Sequence, residues 1–353
     1  MTAFSAFDSA MMRRALELAE KGLYTTTPNP RVGCVVTRGE TVVGEGWHEH
    51  AGGPHAEVTA LEGKDAAGAT VYVTLEPCNH QGRTPPCVEL LMKSKVSRVV
   101  AAMRDPNPAA SGGGERLAAA GIRFEHGLLE APARELNIGF VSRVTRGRPW
   151  VRLKVAATLD GRTALKDGRS QWITGSEARR DGHRWRARAC AVLTGIGTVR
   201  ADDPQLTVRE VQTPRQPLRV IVDSRLETPS SARILQGERV LVFAAGEGAL
   251  PNADVLALPN AQGKVDLPRM LQALAARGIN ELHVEAGFKL NGSLVREGCV
   301  DEFLVYLNPS FLGDEALGML DLAAPRALDA RLRLRVITLE RLGNDLRLLA
   351  RPA

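Results

Sequence analysis

The sequence predicts a two-domain α/β protein, and three observations carry that prediction. Up to about Arg146, short amphipathic and apolar runs follow one another in the order α-β-β-α-β-α-β-α-β, the pattern of a three-layer α/β/α domain. Beyond that point strand-like runs alternate with helical stretches, which suggests a largely parallel sheet. Between them the segment FVSRVTRGRPW is basic, closes on a Gly147-Arg148-Pro149 turn and precedes a new strand. The boundary therefore falls near Arg146, giving domains 1–146 and 147–353, and 353 residues suffice for two separate cores.

Taken in order, residues 9–21 predict a helix with apolar positions at Met12, Leu16 and Ala19. Thr27-Pro28-Asn29-Pro30 must then run extended, because two prolines forbid helix. VGCVV and TVVGEGW read as strands around an Arg38-Gly39-Glu40 turn, and AEVTALEG as a short helix. VYVTL is a buried strand, PPCVELLMK a helix opened by proline, and RVVAAM a strand. GERLAAAG makes a helix ending on Gly121, and IRFEHG closes the first domain. The second domain offers the strands VRLKVAAT, ARACAVLTG, LRVIVD, RVLVFAA, DVLALP, ELHVEAG and EFLVYLNP. It ends in RLRLRVITLERLGNDLRLLARP, read as an antiparallel hairpin around Gly343-Asn344 with arginines on a wet face.

Composition excludes several classes. No run approaches ~18 apolar residues, so no transmembrane helix is expected. The N-terminal stretch reads as an amphipathic helix rather than a signal peptide. Net charge is +6 and the pI about 9.3, which raises nucleic acid as a partner. The basic residues are interspersed with acids, however, and the densest stretch, Arg179 to Arg188, holds one aromatic, Trp185. It reads as a solvated helix face with a few arginines turned to a small phosphorylated substrate. Of five cysteines, Cys34, Cys190 and Cys299 read as reduced core residues, consistent with a cytoplasmic enzyme.

The chemistry is concentrated between His55 and Cys87. His55-Ala56-Glu57 is followed by a strand, then Pro77-Cys78, then Cys87 after eight intervening residues. One imidazole and two thiolates suit Zn²⁺, and three ligands leave a position for water, whose pKa zinc lowers from ~15.7 to ~7. Glu57, two residues beyond His55, is off the ligand's helical face and suits a proton-handling role. This is the signature of zinc-dependent base deaminases. His80 is a competing fourth ligand that would close the site, though substrate contact suits it better. His55 and both cysteines fall at or near helix starts, where thiolate is favoured. Downstream, Gly195-Ile196-Gly197-Thr198 and Gly287 follow strands and can admit phosphate to a helix start. Neither is a complete dinucleotide fingerprint, and a plain structural turn remains open.

TPNPRVGCVV, GWHEHAGGPHAEVTAL, VYVTLEPCNHQGRTPPC and RDPNP resemble the deaminase half of the bifunctional deaminase–reductases of riboflavin biosynthesis. KVAATLDGRTA, SQWITGSEARRDGHRWRA, GIGTVRADDPQLTVR and VEAGFKLNGSLV resemble the reductase half, in the same order. The stretch from Pro229 to Asn280 is matched least. The resemblance implies a cytidine-deaminase-like domain followed by a dihydrofolate-reductase-like domain, with zinc and NADPH as cofactors. It implies deamination of 2,5-diamino-6-ribosylamino-4(3H)-pyrimidinone 5′-phosphate, reduction of its ribosyl group, and a homo-oligomer. The long spacing between the cysteines favours a free ribotide over nucleic acid, whose deaminases carry a shorter one.

By the same resemblance Asn29, His48, His80, Asp105 and Asn107 line the first pocket. Turn chemistry beside proline is the competing reading for Asn29, Asp105 and Asn107. Ala157, Trp172, Thr198, Asp202 and the run Gly287, Phe288, Lys289, Leu290, Asn291, Gly292 and Ser293 fall at cofactor positions. Ser170, Arg186, Leu206, Arg209 and Glu285 fall at substrate positions. Arg186 and Arg209 can hold a phosphate bidentately, or serve as plain surface charges. Lys154 and Asp160 bracket a strand end and can polarise or protonate the ribose. Two other classes stay open: a nucleic-acid-editing deaminase with an appended binding domain, and a non-enzymatic chain with structural zinc.

Overall fold

A computed structural model describes residues 4–81, 85–238 and 240–353. Gly82, Arg83 and Thr84 of the inter-cysteine GRTPPC loop, and Arg239 at the head of the expected RVLVFAA strand, lie outside the described residues. Two compact units meet in sequence at Gly147 and Arg148.

The first unit comprises α1 (Ala6–Glu20), β1 (Gly33–Arg38), β2 (Thr41–Trp47), α2 (Ala56–Leu61), β3 (Thr70–Leu75) and α3 (Cys87–Lys93). It continues through β4 (Arg98–Met103), α4 (Gly113–Ala119), β5 (Arg123–His126), α5 (Glu130–Leu136) and α6 (Ile138–Arg146). Its sheet runs β2-β1-β3-β4-β5, with β1 antiparallel to both neighbours and β3, β4 and β5 parallel. Strand alternation builds the three layers. Cys34, Val36, Val71, Val73, Val99 and Ala101 pack against α2, α3 and α4. Val35, Tyr72, Val100 and Ala102 pack against α1 and α5. The first helix starts earlier than expected because Ser5 and Asp8 form a capping box. Gly33 permits α1 to lie on β1, since a Cβ there would sit 1.9 Å from the Ala15 carbonyl oxygen. The basic segment after Gly139 is largely helical, and the turn comes only at Gly147, whose φ of +65° suits glycine.

The second unit comprises β6 (Trp150–Thr158), β7 (Arg162–Ala164), α7 (Ser176–Arg188), β8 (Ala191–Gly195), α8 (Ile196–Asp202), β9 (Leu218–Val222), β10 (Val240–Ala244) and β11 (Ala253–Ala257). There follow α9 (Leu267–Ala276), β12 (Glu281–Val284), α10 (Phe288–Arg296), β13 (Glu302–Asn308), β14 (Leu317–Gly318), β15 (Leu334–Leu342) and β16 (Asp345–Pro352). The nine-stranded sheet runs β11-β10-β9-β8-β12-β6-β13-β16-β15 and is parallel as far as β13, with β16 antiparallel to both neighbours. A two-stranded ribbon pairs β7 with β14. On one face Leu153, Leu193 and Phe243 pack with Met270, Leu274 and Leu294 of α9 and α10.

The opposite face departs from expectation. Helix α7, read as a solvated face with a few arginines turned to a substrate, leaves Arg180 and Arg184 exposed but turns Arg186 and Arg188 to Glu285 and Glu281 of the sheet beneath. Arg152 is 2% exposed, with Nε 2.5 Å from Glu302 and Nη1 3.1 Å from Glu281. Arg188 and Arg351 complete the pairs at 2.7 and 2.8 Å, and Trp185 stacks 4.2 Å from the Arg152 guanidinium. The β15 edge departs too: Val336 and Leu339 are as exposed as its arginines. Among the described residues no helix is long and apolar enough to cross a membrane. Arg152→Leu would leave buried carboxylates short of one cation and is expected to cost about 3–5 kcal/mol. Urea unfolding followed by circular dichroism checks this, and a loss below about 1 kcal/mol would contradict the assignment.

Candidate active sites

In the first unit three loops deliver the candidate ligands. His55 is the extended N-cap of α2, Cys78 follows β3 through Glu76 and Pro77, and Cys87 opens α3 after Pro86. His55 Nδ1 lies 3.2 Å from Cys87 Sγ and 3.6 Å from Cys78 Sγ, and all three ligand atoms fall within 4.8 Å of one another. Bonds of ~2.0–2.3 Å to a tetrahedral zinc place ligand atoms roughly 3.5 Å apart, so the donor set fits one ion. The Cys87 N–H donates to Cys78 Sγ at 3.3 Å. Cys87 and His55 pull the Cys78 thiol well below its usual range against the effect of burial, while Cys78 and burial push Cys87 up. Two thiolates side by side therefore need a cation. Glu57 is buried in the first turn of α2, bonded to Cys87, and burial raises its carboxyl. His80 is exposed and outside the ligand cluster.

His48 is fixed as the Nδ1–H tautomer: Nδ1 donates to the Pro54 carbonyl at 2.8 Å, and the Asn29 amide donates to Nε2 at 3.0 Å. Its ring meets His55 edge-on at 5.6 Å, and burial lowers its pKa. Asp105 and Asn107 do form turns, accepting from the Asn107 and Ala109 N–H groups at 2.8 and 3.2 Å. Burial nevertheless pushes the Asp105 carboxyl up to about 6. Sequence reasoning passed over Glu76. It is 2% exposed and accepts from Asp105 N–H at 3.1 Å and Gly114 N–H at 2.9 Å. A glutamate directly before Pro-Cys was the available signal.

In the second unit a cavity of about 1290 Å³ opens at the C-terminal ends of β6, β8, β9 and β12. It is lined by Lys154, Ser170, Trp172, Arg186, Thr198, Asp202, Leu206, Arg209, Glu285 and the run Gly287 to Asn291. The Ser170 hydroxyl donates to Asp202 at 3.2 Å, and Trp172, 70% exposed, stacks under Arg179. Leu206 is buried with φ +54°, a strained value for leucine. Four expected residues are not in the lining. Ala157 belongs to the apolar core. A Cβ on Gly292 would lie 2.3 Å from the Asp321 carbonyl oxygen, so that glycine serves close packing. The Ser293 hydroxyl donates to the Lys289 carbonyl at 3.1 Å. Asp160 accepts from Thr158 Oγ1 at 2.5 Å and from the Leu312 and Gly313 N–H groups at 3.1 and 2.8 Å, which ties down a turn.

Glu285 is the electrostatic centre of this cavity. Arg186 grips it bidentately, with Nη2 at 2.9 Å, and gives Nη1 to the Thr207 carbonyl at 3.1 Å. The fork expected to hold a phosphate is thus spent on a carboxylate. Lys154 Nζ lies 3.8 Å from Glu285. Burial would raise Glu285, but Arg186 and Lys154 hold it well below the usual range. Burial lowers Lys154, and Glu285 opposes that fall. His183, also passed over in the sequence, lines the cavity and accepts the Arg209 N–H at 3.2 Å. Burial, Arg186 and Arg209 bring its pKa down to about 4. A nicotinamide dinucleotide fits the polar lining. Asp223 Oδ1 and Asn291 Oδ1 are buried there without a hydrogen-bond donor, and Gly287 is the N-cap of α10, with no side chain capping the helix.

Residues 5–103 match the model for the cytidine and deoxycytidylate deaminase zinc-binding region, and residues 149–348 match the RibD C-terminal domain. The chain is 46% identical to riboflavin biosynthesis protein RibD of Escherichia coli over 331 residues, 88% of this chain and 90% of that protein. Acinetobacter baumannii RibD superposes with a TM-score of 0.91 at 43% identity, covering 98% of this chain and 99% of that one. A diaminohydroxyphosphoribosylaminopyrimidine deaminase/5-amino-6-(5-phosphoribosylamino)uracil reductase from Thermotoga maritima gives 0.90 at 35% identity, with the same coverage. Matched along nearly its whole length by proteins that join these two domains in this order, the chain belongs to the RibD family of bifunctional deaminase–reductases of riboflavin biosynthesis.

Proposed function

We propose that residues 1–146 deaminate 2,5-diamino-6-ribosylamino-4(3H)-pyrimidinone 5′-phosphate and that residues 147–353 reduce the ribosyl group of the product to a ribityl chain. The observation that carries this reading is the meeting of His55, Cys78 and Cys87 around one point beside buried Glu57. Zinc held by these three residues supplies water acidified to near-neutral pKa. Glu57 would take a proton from that water and deliver it to the ring nitrogen, then carry a second proton, from the hydroxyl added at the ring carbon, to the amino group that leaves as ammonia. Asn29 and His48 form the wall on which the pyrimidine is oriented, with Asp105, Asn107 and His80 toward the ribose phosphate.

Bound by Thr198, Asp202 and the Gly287–Asn291 segment in the second cavity, NADPH would supply the hydride for ribose C1′. Glu285, anchored by Arg186, receives the sugar hydroxyls, and Lys154 delivers the proton that opens the ring. Arg209 remains the guanidinium available to the ribotide phosphate. Thr198, Asp202 and the Gly287–Asn291 segment hold the cofactor, with Trp172 and Ser170 at the mouth. The nucleic-acid reading loses part of its support, because Arg186 and Arg188 of the arginine-rich helix α7 are committed to Glu285 and Glu281. A reducing cytoplasm agrees with the absence of disulfides among the described residues. A homo-oligomer would cover β15, where Leu334, Val336 and Leu339 are 39, 56 and 60% exposed at the sheet edge.

Glu57→Gln is expected to cut ammonia release by about 10²–10⁴-fold while NADPH oxidation with the deaminated substrate continues. Ammonia release at the parent rate would overturn the role given to Glu57. Glu285 holds the lowered Lys154 pKa up, so Glu285→Gln must lower it further. The alkaline limb of the reductase pH profile should then move to lower pH, and an unmoved limb removes Lys154 as proton donor. Val336→Lys with Leu339→Lys should reduce the assembly size in sedimentation equilibrium, and an unchanged mass places the interface elsewhere.

A further inference from the structure

NADPH differs from NADH by one phosphate on the adenosine ribose, and none of the cofactor residues named above accounts for it. Strands β8 and β9 are parallel neighbours, with Gly195 opposite Val222. The Gly195–Thr198 turn and the Asp223–Arg225 segment therefore leave the sheet side by side, and both line the cavity. Two arginines that no part of the reduction uses stand there. Arg225 straddles Glu227, with Nε 3.1 Å from Oε1 and Nη2 3.3 Å from Oε2. Arg200, one turn into α8, brings Nη1 within 3.3 Å of the same Oε2. All three side chains line the cavity, as do Ser224 and Lys264.

Stability does not explain this triad. The Arg200 and Arg225 side chains are 53 and 74% exposed, and exposed pairs of this kind contribute little. Chemistry explains it better. An acid at the end of the neighbouring strand ordinarily receives an unphosphorylated 2′-hydroxyl, whereas arginine accommodates a 2′-phosphate. Glu227 would repel such a phosphate on its own. Here it is occupied by two guanidiniums, and the triad carries a net single positive charge with further N–H groups to offer. The substrate phosphate belongs elsewhere, since Arg209 stands beside His183 and Thr207, near Arg186 and Glu285.

Resting on the NADPH reading of this cavity, we propose that Arg200 and Arg225, held by Glu227, clamp the adenosine 2′-phosphate and select NADPH over NADH. Calorimetry on the full chain with adenosine 2′,5′-bisphosphate and 5′-AMP tests it. The parent should prefer the bisphosphate. Arg200→Gln with Arg225→Gln should weaken bisphosphate binding by about tenfold or more, the worth of one charge-assisted hydrogen bond, and leave 5′-AMP within about twofold. Glu227→Gln should tighten the bisphosphate alone. Retained 5′-AMP binding also shows that the variants fold. A double variant that keeps parent affinity for the bisphosphate, or loses both probes equally, overturns the clamp. A parent that binds neither probe overturns the cofactor reading, and the clamp with it.

Discussion

Two thiols held against one imidazole cannot both ionise unless a cation joins them, and the first unit is arranged around that constraint. Cys78 hangs from the end of β3, and Cys87 opens α3 with its own N–H turned to the Cys78 sulfur. His55 is presented from the N-cap of α2, which also carries Glu57 inward. None of these elements is long, and neither α2 nor α3 has a side-chain cap at its start. Their common attachment is the sheet, whose two faces are buried by α1 and α5 on one side and α2 to α4 on the other. Buried Glu76 bonds the Asp105 and Gly114 N–H groups, so the cysteine turn, the Asp105 loop and the start of α4 move as one piece.

The second unit solves a related problem with fixed charges. Its cavity-side layer holds Glu281, Glu285 and Glu302 under α7, each matched by arginine or lysine. Taking so many ions out of water is tolerable only because every carboxylate has a close cationic partner. The consequence is a pre-oriented Glu285 and a lysine whose charge burial disfavours, both facing the same cavity. Such pairs of perturbed groups are what acid–base steps require.

How much of this was legible in the sequence depended on how local the cause was. The candidate metal ligands and Glu57 stand out through their spacing, and apolar runs bounded by turn residues located nearly every strand of the two large sheets. The exceptions have partners far away in the chain. Arginines on α7 look solvated until Glu281 and Glu285, roughly a hundred residues on, are placed beneath them. Asp160 resembles a strand-end catalyst, yet its acceptors are filled by a loop 152 residues away. Ala157 and Gly292 are likewise committed to packing that only tertiary structure reveals. The hydrophobic side chains of β15 show the reverse: alternation was right for a strand, but no layer among the described residues covers it.

Zinc K-edge absorption spectroscopy on the purified protein tests the central claim most directly. One zinc per chain, with one imidazole nitrogen, two sulfurs and one further light atom in its coordination shell, is the predicted spectrum. Absence of zinc, or a shell completed by a fourth protein ligand, would contradict the account of the deaminase site.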